Sequence, residues 1–166
     1  MAKPPRVSLD PNASAYKSPD DAADDVSKGF LDPKNPQQGE RIAVIVKRPD
    51  GMYSPSTVTE PQGGDSSALA IGLPQGYALA GIVHSHPGRD ATSREFSQDD
   101  IDTANALKVP SFIRFARDGS IAKFVPGQSK VFNVAAQDMH GNNTTARASY
   151  GDPITPTQTN VNPDAQ

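Results

Sequence analysis

At 166 residues the chain is long enough for one domain of ordinary size around a single apolar core. Its 16 Lys and Arg against 19 Asp and Glu give a net charge of −3 with no basic run longer than Lys47-Arg48, and phosphate binding needs a clustered cationic face, so no nucleic-acid partner is expected. No stretch nears the ~20 apolar residues of a membrane span, so no membrane partner is expected, and without cysteine any metal site has to be built from His, Asp and Glu.

Residues 1–19 are rich in Pro, Asn, Ser and Asp and predict a flexible N-terminal segment, because they offer little apolar surface to offset the entropy of ordering them. They contain no apolar run of the kind a secretory signal carries, so the protein is expected to be cytoplasmic as made, with export by a specialised route left open. Residues 20–31 predict a short amphipathic helix, with Ser18-Pro19-Asp20-Asp21 as its cap and first turn and Ala22, Ala23, Val26 and Phe30 near one face. Residues 40–47 predict a strand that is apolar on both sides. Arg48-Pro49-Asp50-Gly51 predicts a tight turn, and residues 52–59 the returning strand.

Residues 60–76 predict a loop. The run Tyr77-Ala78-Leu79-Ala80-Gly81-Ile82-Val83 suits a buried central strand, and it delivers His84-Ser85-His86-Pro87 at its end. After a loop over 87–96, Ser97-Gln98-Asp99-Asp100 forms a capping-box pattern that opens a helix ending before Pro110. Residues 111–116 and 121–125 predict a second hairpin around Arg117-Asp118-Gly119-Ser120, and residues 131–136 a last edge strand. The elements predict a single α/β (α+β) domain over 20–136, with a mainly antiparallel sheet flanked by helices. Residues 137–166 predict a flexible polar tail, in which His140 is an exposed bystander.

Side chains two apart on a strand share a face, so His84 and His86 point together while Ser85 points away. Asp100 falls on the first turn of the following helix, where the helix dipole favours a carboxylate. Two imidazoles and one carboxylate with a fourth position open are what a catalytic zinc requires. Such a site also needs a proton acceptor that does not bind the metal, and Glu40, at the start of the first strand, is a candidate that spacing alone does not single out.

Glu40, then His84-Ser85-His86-Pro87, then Ser97-Gln98-Asp99-Asp100 resembles the JAMM (MPN-type, JAB-like) zinc metalloprotease motif. The resemblance implies an MPN/cytidine-deaminase-like fold and Zn²⁺ held by His84, His86 and Asp100. It also implies Glu40 as general acid and base, and Ser97 as a donor to the oxyanion. More narrowly, the chain is similar to an uncharacterised bacterial JAB-like domain of toxin-type proteins such as those with Rhs repeats. The echoes are the Pro49-Asp50-Gly51 hairpin with Tyr53, Phe96-Ser97 ahead of the helix, and the Asp118-Gly119 hairpin ending in Val125-Pro126-Gly127. The loop Gly88 to Phe96 is longer than that of the motif, so Asp99 stays beside Asp100 as the fallback ligand.

What the resemblance implies is a zinc metallopeptidase or isopeptidase with a peptide or protein substrate, acting as a bacterial effector or a toxin-associated peptidase. The alternative is a catalytically silent MPN-like interaction module, with a structural metal or none. Substrate-binding residues and oligomeric state are not legible.

Overall fold

The computed structural model describes residues 7–31, 40–59, 72–86, 96, 98–116, 119–127, 130–134 and 139–140. Its elements are α1 (Pro19–Ser27), β1 (Ile42–Lys47), β2 (Tyr53–Pro55), β3 (Ala78–His86), α2 (Gln98–Leu107), β4 (Ser111–Phe115), β5 (Ile121–Val125) and β6 (Lys130–Asn133). The strands form one six-stranded sheet in the order β2-β1-β3-β4-β5-β6. Every neighbouring pair is antiparallel except β3 and β4, which run parallel. Parallel neighbours need a crossover, and α2 lies in the connection between them. The chain is therefore α+β with a mixed sheet, mainly antiparallel as the sequence predicts.

α1 begins where its residues dictate. Ser18 has extended backbone angles and its Oγ accepts from the Asp21 N–H at 3.0 Å, Pro19 occupies the first turn, and Asp20 and Asp21 meet the positive end of the dipole. The helix is shorter than the 20–31 span expected from its apolar positions. Lys28, Gly29 and Phe30 each donate to the carbonyl three residues back, a tightening that ends the helix and turns the Phe30 ring into the core. The return strand is also shorter than expected. At Ser56 the ladder turns irregular: its N–H still donates to the Val44 carbonyl at 2.8 Å, but its Oγ, and not its carbonyl, takes the Val44 N–H at 2.9 Å, and beyond it Ile42 and Thr59 form an isolated bridge.

Strand alternation divides the core into two layers. Ala43, Ile45, Val83, Phe112 and Ile121 pack with Ala22 and Ala23 of α1 and with Phe30. On the other face, Ile113, Phe115, Ala122 and Phe124 meet Phe96 and Ile101 and Ala104 of α2, while Ile42, Val44, Val46 and Ile82 pack with Val7 and Val109. At Gly81 a Cβ would meet the Phe112 ring at 2.8 Å, so only glycine lets that ring lie against β3.

Arg114, fully buried in β4, binds α1 to the sheet. Its guanidinium donates to Ser27 Oγ at 3.0 Å, to the Gly119 carbonyl at 3.0 Å, and to Asp24 Oδ1 at 2.6 Å and Asp24 carbonyl at 2.7 Å. Lys123 of β5 adds a pair to Asp20 at 2.7 Å. Residues 7–16, expected within the flexible N-terminal segment, run beside β2. Leu9 bridges Ser56, Tyr16 bridges Tyr53, and Val7 is buried. A few apolar side chains and an otherwise unpaired strand edge are enough to hold a segment of poor overall composition.

Candidate metal centre

β3 continues through His86, so both histidines sit inside the strand and not past its end. The alternation that sends Val83 and Ser85 toward α1 sends Ile82, His84 and His86 to the α2 side. Ile42 pairs with His84, and continuing that antiparallel register by two residues sets Glu40 across from His86 on the same face. On α2, Asp100 shares the inward stripe with Ile101 and Ala104, which the buried apolar layer beneath holds against β4 and β5. A strand interior, a strand start and a first helical turn thus supply one cluster.

The distances are short. His84 Nε2 is 3.1 Å from Asp100 Oδ1, and His86 Nε2 is 3.5 Å from Asp100 Oδ2. Glu40 Oε1 is 3.8 Å from His84 Nε2 and 3.9 Å from His86 Nε2. Glu40, His84 and His86 each offer a ligand atom within 4.8 Å of the other two and could hold a metal ion. Donor atoms about 2.0 Å from a tetrahedral zinc stand roughly 3.3 Å apart, close to the separations found here.

The electrostatics fit a cation. Burial works against charge on His84, yet the Asp100 and Glu40 carboxylates outweigh it and raise its pKa above the ordinary 6.5. Burial likewise works against charge on Asp100, but His84 and then His86 hold its carboxyl well below the usual carboxylate range. Both ring nitrogens of His84 are buried, and neither makes a hydrogen bond among the described residues, because the Asp100 contact does not meet hydrogen-bond geometry. Buried polar atoms are ordinarily satisfied. An imidazole nitrogen left without a hydrogen bond beside two carboxylates is suited to a metal, and the donor set of nitrogen and oxygen suits zinc.

Of the residues singled out in the sequence, Glu40, His84, His86 and Asp100 come together. Ser97 lies outside the described residues, and so does the side chain of Asp99. His140, expected to be an exposed bystander, is exposed and lies next to Gly119, just before β5. Phe115 is a contributor that sequence reading missed. Its ring meets His86 edge-on with centroids 5.8 Å apart, and Phe96 meets Phe115 at 6.3 Å. The available signal was an aromatic residue at the end of the next predicted strand, but only the parallel register pairing His86 with Phe115 gives it meaning. No protein-family model, curated protein or solved structure matches this chain.

Proposed function

We propose that the chain is a zinc-dependent hydrolase of an amide bond, peptide or isopeptide, with JAMM-type chemistry on an MPN-like fold. The observation that carries this reading is the buried His84 imidazole, with no hydrogen bond at either nitrogen among the described residues, set between the Asp100 and Glu40 carboxylates. The motif order in the sequence supports it. So does the parallel β3-α2-β4 unit, which brings the His-x-His strand and the carboxylate of the following helix to one place.

Exposure sorts the two carboxylates. The Asp100 side chain is 5% exposed and its charge is stabilised by both imidazoles, which suits a ligand. The Glu40 side chain is 22% exposed, at the open end of β1, which suits a group that must meet substrate and exchange protons. His84, His86 and Asp100 would hold the zinc, which would polarise a carbonyl and acidify a water toward a pKa of roughly 7. Glu40 would take the proton of the attacking water at Oε1 and return it to the leaving nitrogen. The His84 and His86 rings would stay neutral and fixed, the latter braced by Phe115. Ser97 is the proposed donor to the oxyanion, by resemblance. The same resemblance proposes a bacterial effector or toxin-associated setting.

Metal analysis of the purified protein, followed by a screen of peptides, isopeptide-linked chains and peptidoglycan crosslinks, tests this reading. About one zinc per chain, and cleavage abolished by Glu40→Gln even when that variant is saturated with zinc, are expected. A protein that neither holds zinc nor gains thermal stability from it would overturn the proposal.

A further inference from the structure

We propose that Ser85, the residue between the two histidines, is a positioning residue that sets Glu40 in the metal centre; the inference rests on the zinc reading above. Ser85 is fully buried on the face opposite the imidazoles, so it cannot touch the metal. A buried hydroxyl is costly unless it is partnered, and its partner here is the chain at Arg41. The Arg41 N–H donates to Ser85 Oγ at 3.0 Å, and the Ser85 N–H donates to the Arg41 carbonyl at 3.1 Å. A side-chain oxygen stands where a regular antiparallel ladder uses a carbonyl. The Arg41 side chain adds a third tie, from its guanidinium to the Gly29 carbonyl at 3.1 Å, just past α1.

These contacts matter because β1 begins only at Ile42, so Glu40 lies ahead of the regular strand and next to Arg41. With Arg41 fixed on both its N–H and its carbonyl, alternation turns the Glu40 side chain to the imidazole face. There its Oε1 stands 3.8 and 3.9 Å from the two Nε2 atoms. One residue thus serves the site in two ways. Its place in β3 spaces the two histidines, and its hydroxyl holds the carboxylate delivered by the neighbouring strand.

A double-mutant cycle on the full chain tests this, read by Zn²⁺ affinity and by the visible absorption of the Co²⁺-loaded protein. Glu40→Gln removes a negative charge beside the ion and should weaken Zn²⁺ binding and alter the Co²⁺ spectrum. Ser85→Ala should weaken Zn²⁺ binding about tenfold, as loss of a supporting contact does, and give a spectrum like that of Glu40→Gln. The double variant should bind no more weakly than Glu40→Gln alone, and Ser85→Thr, which keeps the hydroxyl, should bind like wild type. Additive losses in the double variant, wild-type behaviour of Ser85→Ala, or wild-type behaviour of Glu40→Gln would each overturn the inference while leaving the zinc reading intact. Failure of the wild-type protein to bind zinc would overturn both.

Discussion

Asp100 Oδ1 lies 3.1 Å from His84 Nε2, joining the first turn of α2 to the middle of the sheet through two side chains nearly sealed from water. The Asp100 carboxylate pushes His84 up against the effect of burial, and His84 in turn holds Asp100 down, so each favours the charged form of the other. The depressed Asp100 contributes stability that is present above the unfolded carboxylate value of about 4 and is lost as pH falls through the folded value. The raised His84 contributes stability that is present below about 6.5 and is lost as pH rises through its folded value. The metal-free protein should therefore melt highest between about pH 4 and 6.5. Zinc needs a neutral imidazole, so its stabilising increment should grow as pH rises beyond that window. Melting curves in chelator and in zinc should diverge with pH, and parallel profiles would contradict the assignment.

Asp100→Asn keeps the shape of the side chain and removes its charge. His84 then loses the largest influence raising its pKa, and burial is left as the dominant effect, favouring the neutral ring. Nuclear magnetic resonance should show the His84 titration moving downward in the metal-free variant. Zn²⁺ affinity should fall by at least about 100-fold, as expected when a ligand and not a supporting group is lost. If Asp99 were the ligand instead, Asp100→Asn would leave zinc affinity near wild type, and Asp99→Asn would carry the loss.

The parts of the fold legible in sequence are those set by local pattern. The apolar run 42–46 and the strand Ile121–Val125 fall where expected, and period-two alternation correctly puts both imidazoles on one face. The position of Glu40 was not legible from pattern, because it depends on the pairing of Ile42 with His84 across a long connection. Within the predicted strand 111–116 nothing local marks Arg114. Its partners Asp24 and Ser27 come from the far end of the chain, and no local pattern encodes that contact. Residues 7–16 escaped for a similar reason, since what holds them is a strand edge supplied by β2.

Gly81→Ala should destabilise the domain by about 2 kcal/mol through overpacking, lowering the melting midpoint by roughly 4–10 °C. The new methyl would meet the Phe112 ring at 2.8 Å, and that ring is fully buried, with little room to yield. Phe112→Leu should be destabilising alone yet recover part of the loss when combined with Gly81→Ala. The combination should then cost less than the sum of its parts. Simple additivity in thermal melts would show that the close approach at Gly81 is not what limits this position.

Arg114→Met should be the most damaging single change away from the metal centre. The arginine is fully buried, and its loss would leave the Asp24 carboxylate, the Asp24 and Gly119 carbonyls and the Ser27 hydroxyl without that donor. Breaking one side of a fully buried ion pair costs about 3–5 kcal/mol. Asp24 is 25% exposed and keeps Lys28 at 3.7 Å, so its share of the loss should fall below that range, the rest coming from the buried polar groups that lose their donor. Arg114→Lys should rescue little, since a single ammonium cannot reproduce a planar fork that meets three residues at once. Asp24→Leu in the Arg114→Met background should restore part of the stability, by removing a carboxylate that has lost its buried partner and letting two apolar side chains meet. Urea unfolding of the four proteins reads this directly. A double variant no more stable than Arg114→Met would place the cost in the backbone carbonyls and the serine, not in the charge of Asp24.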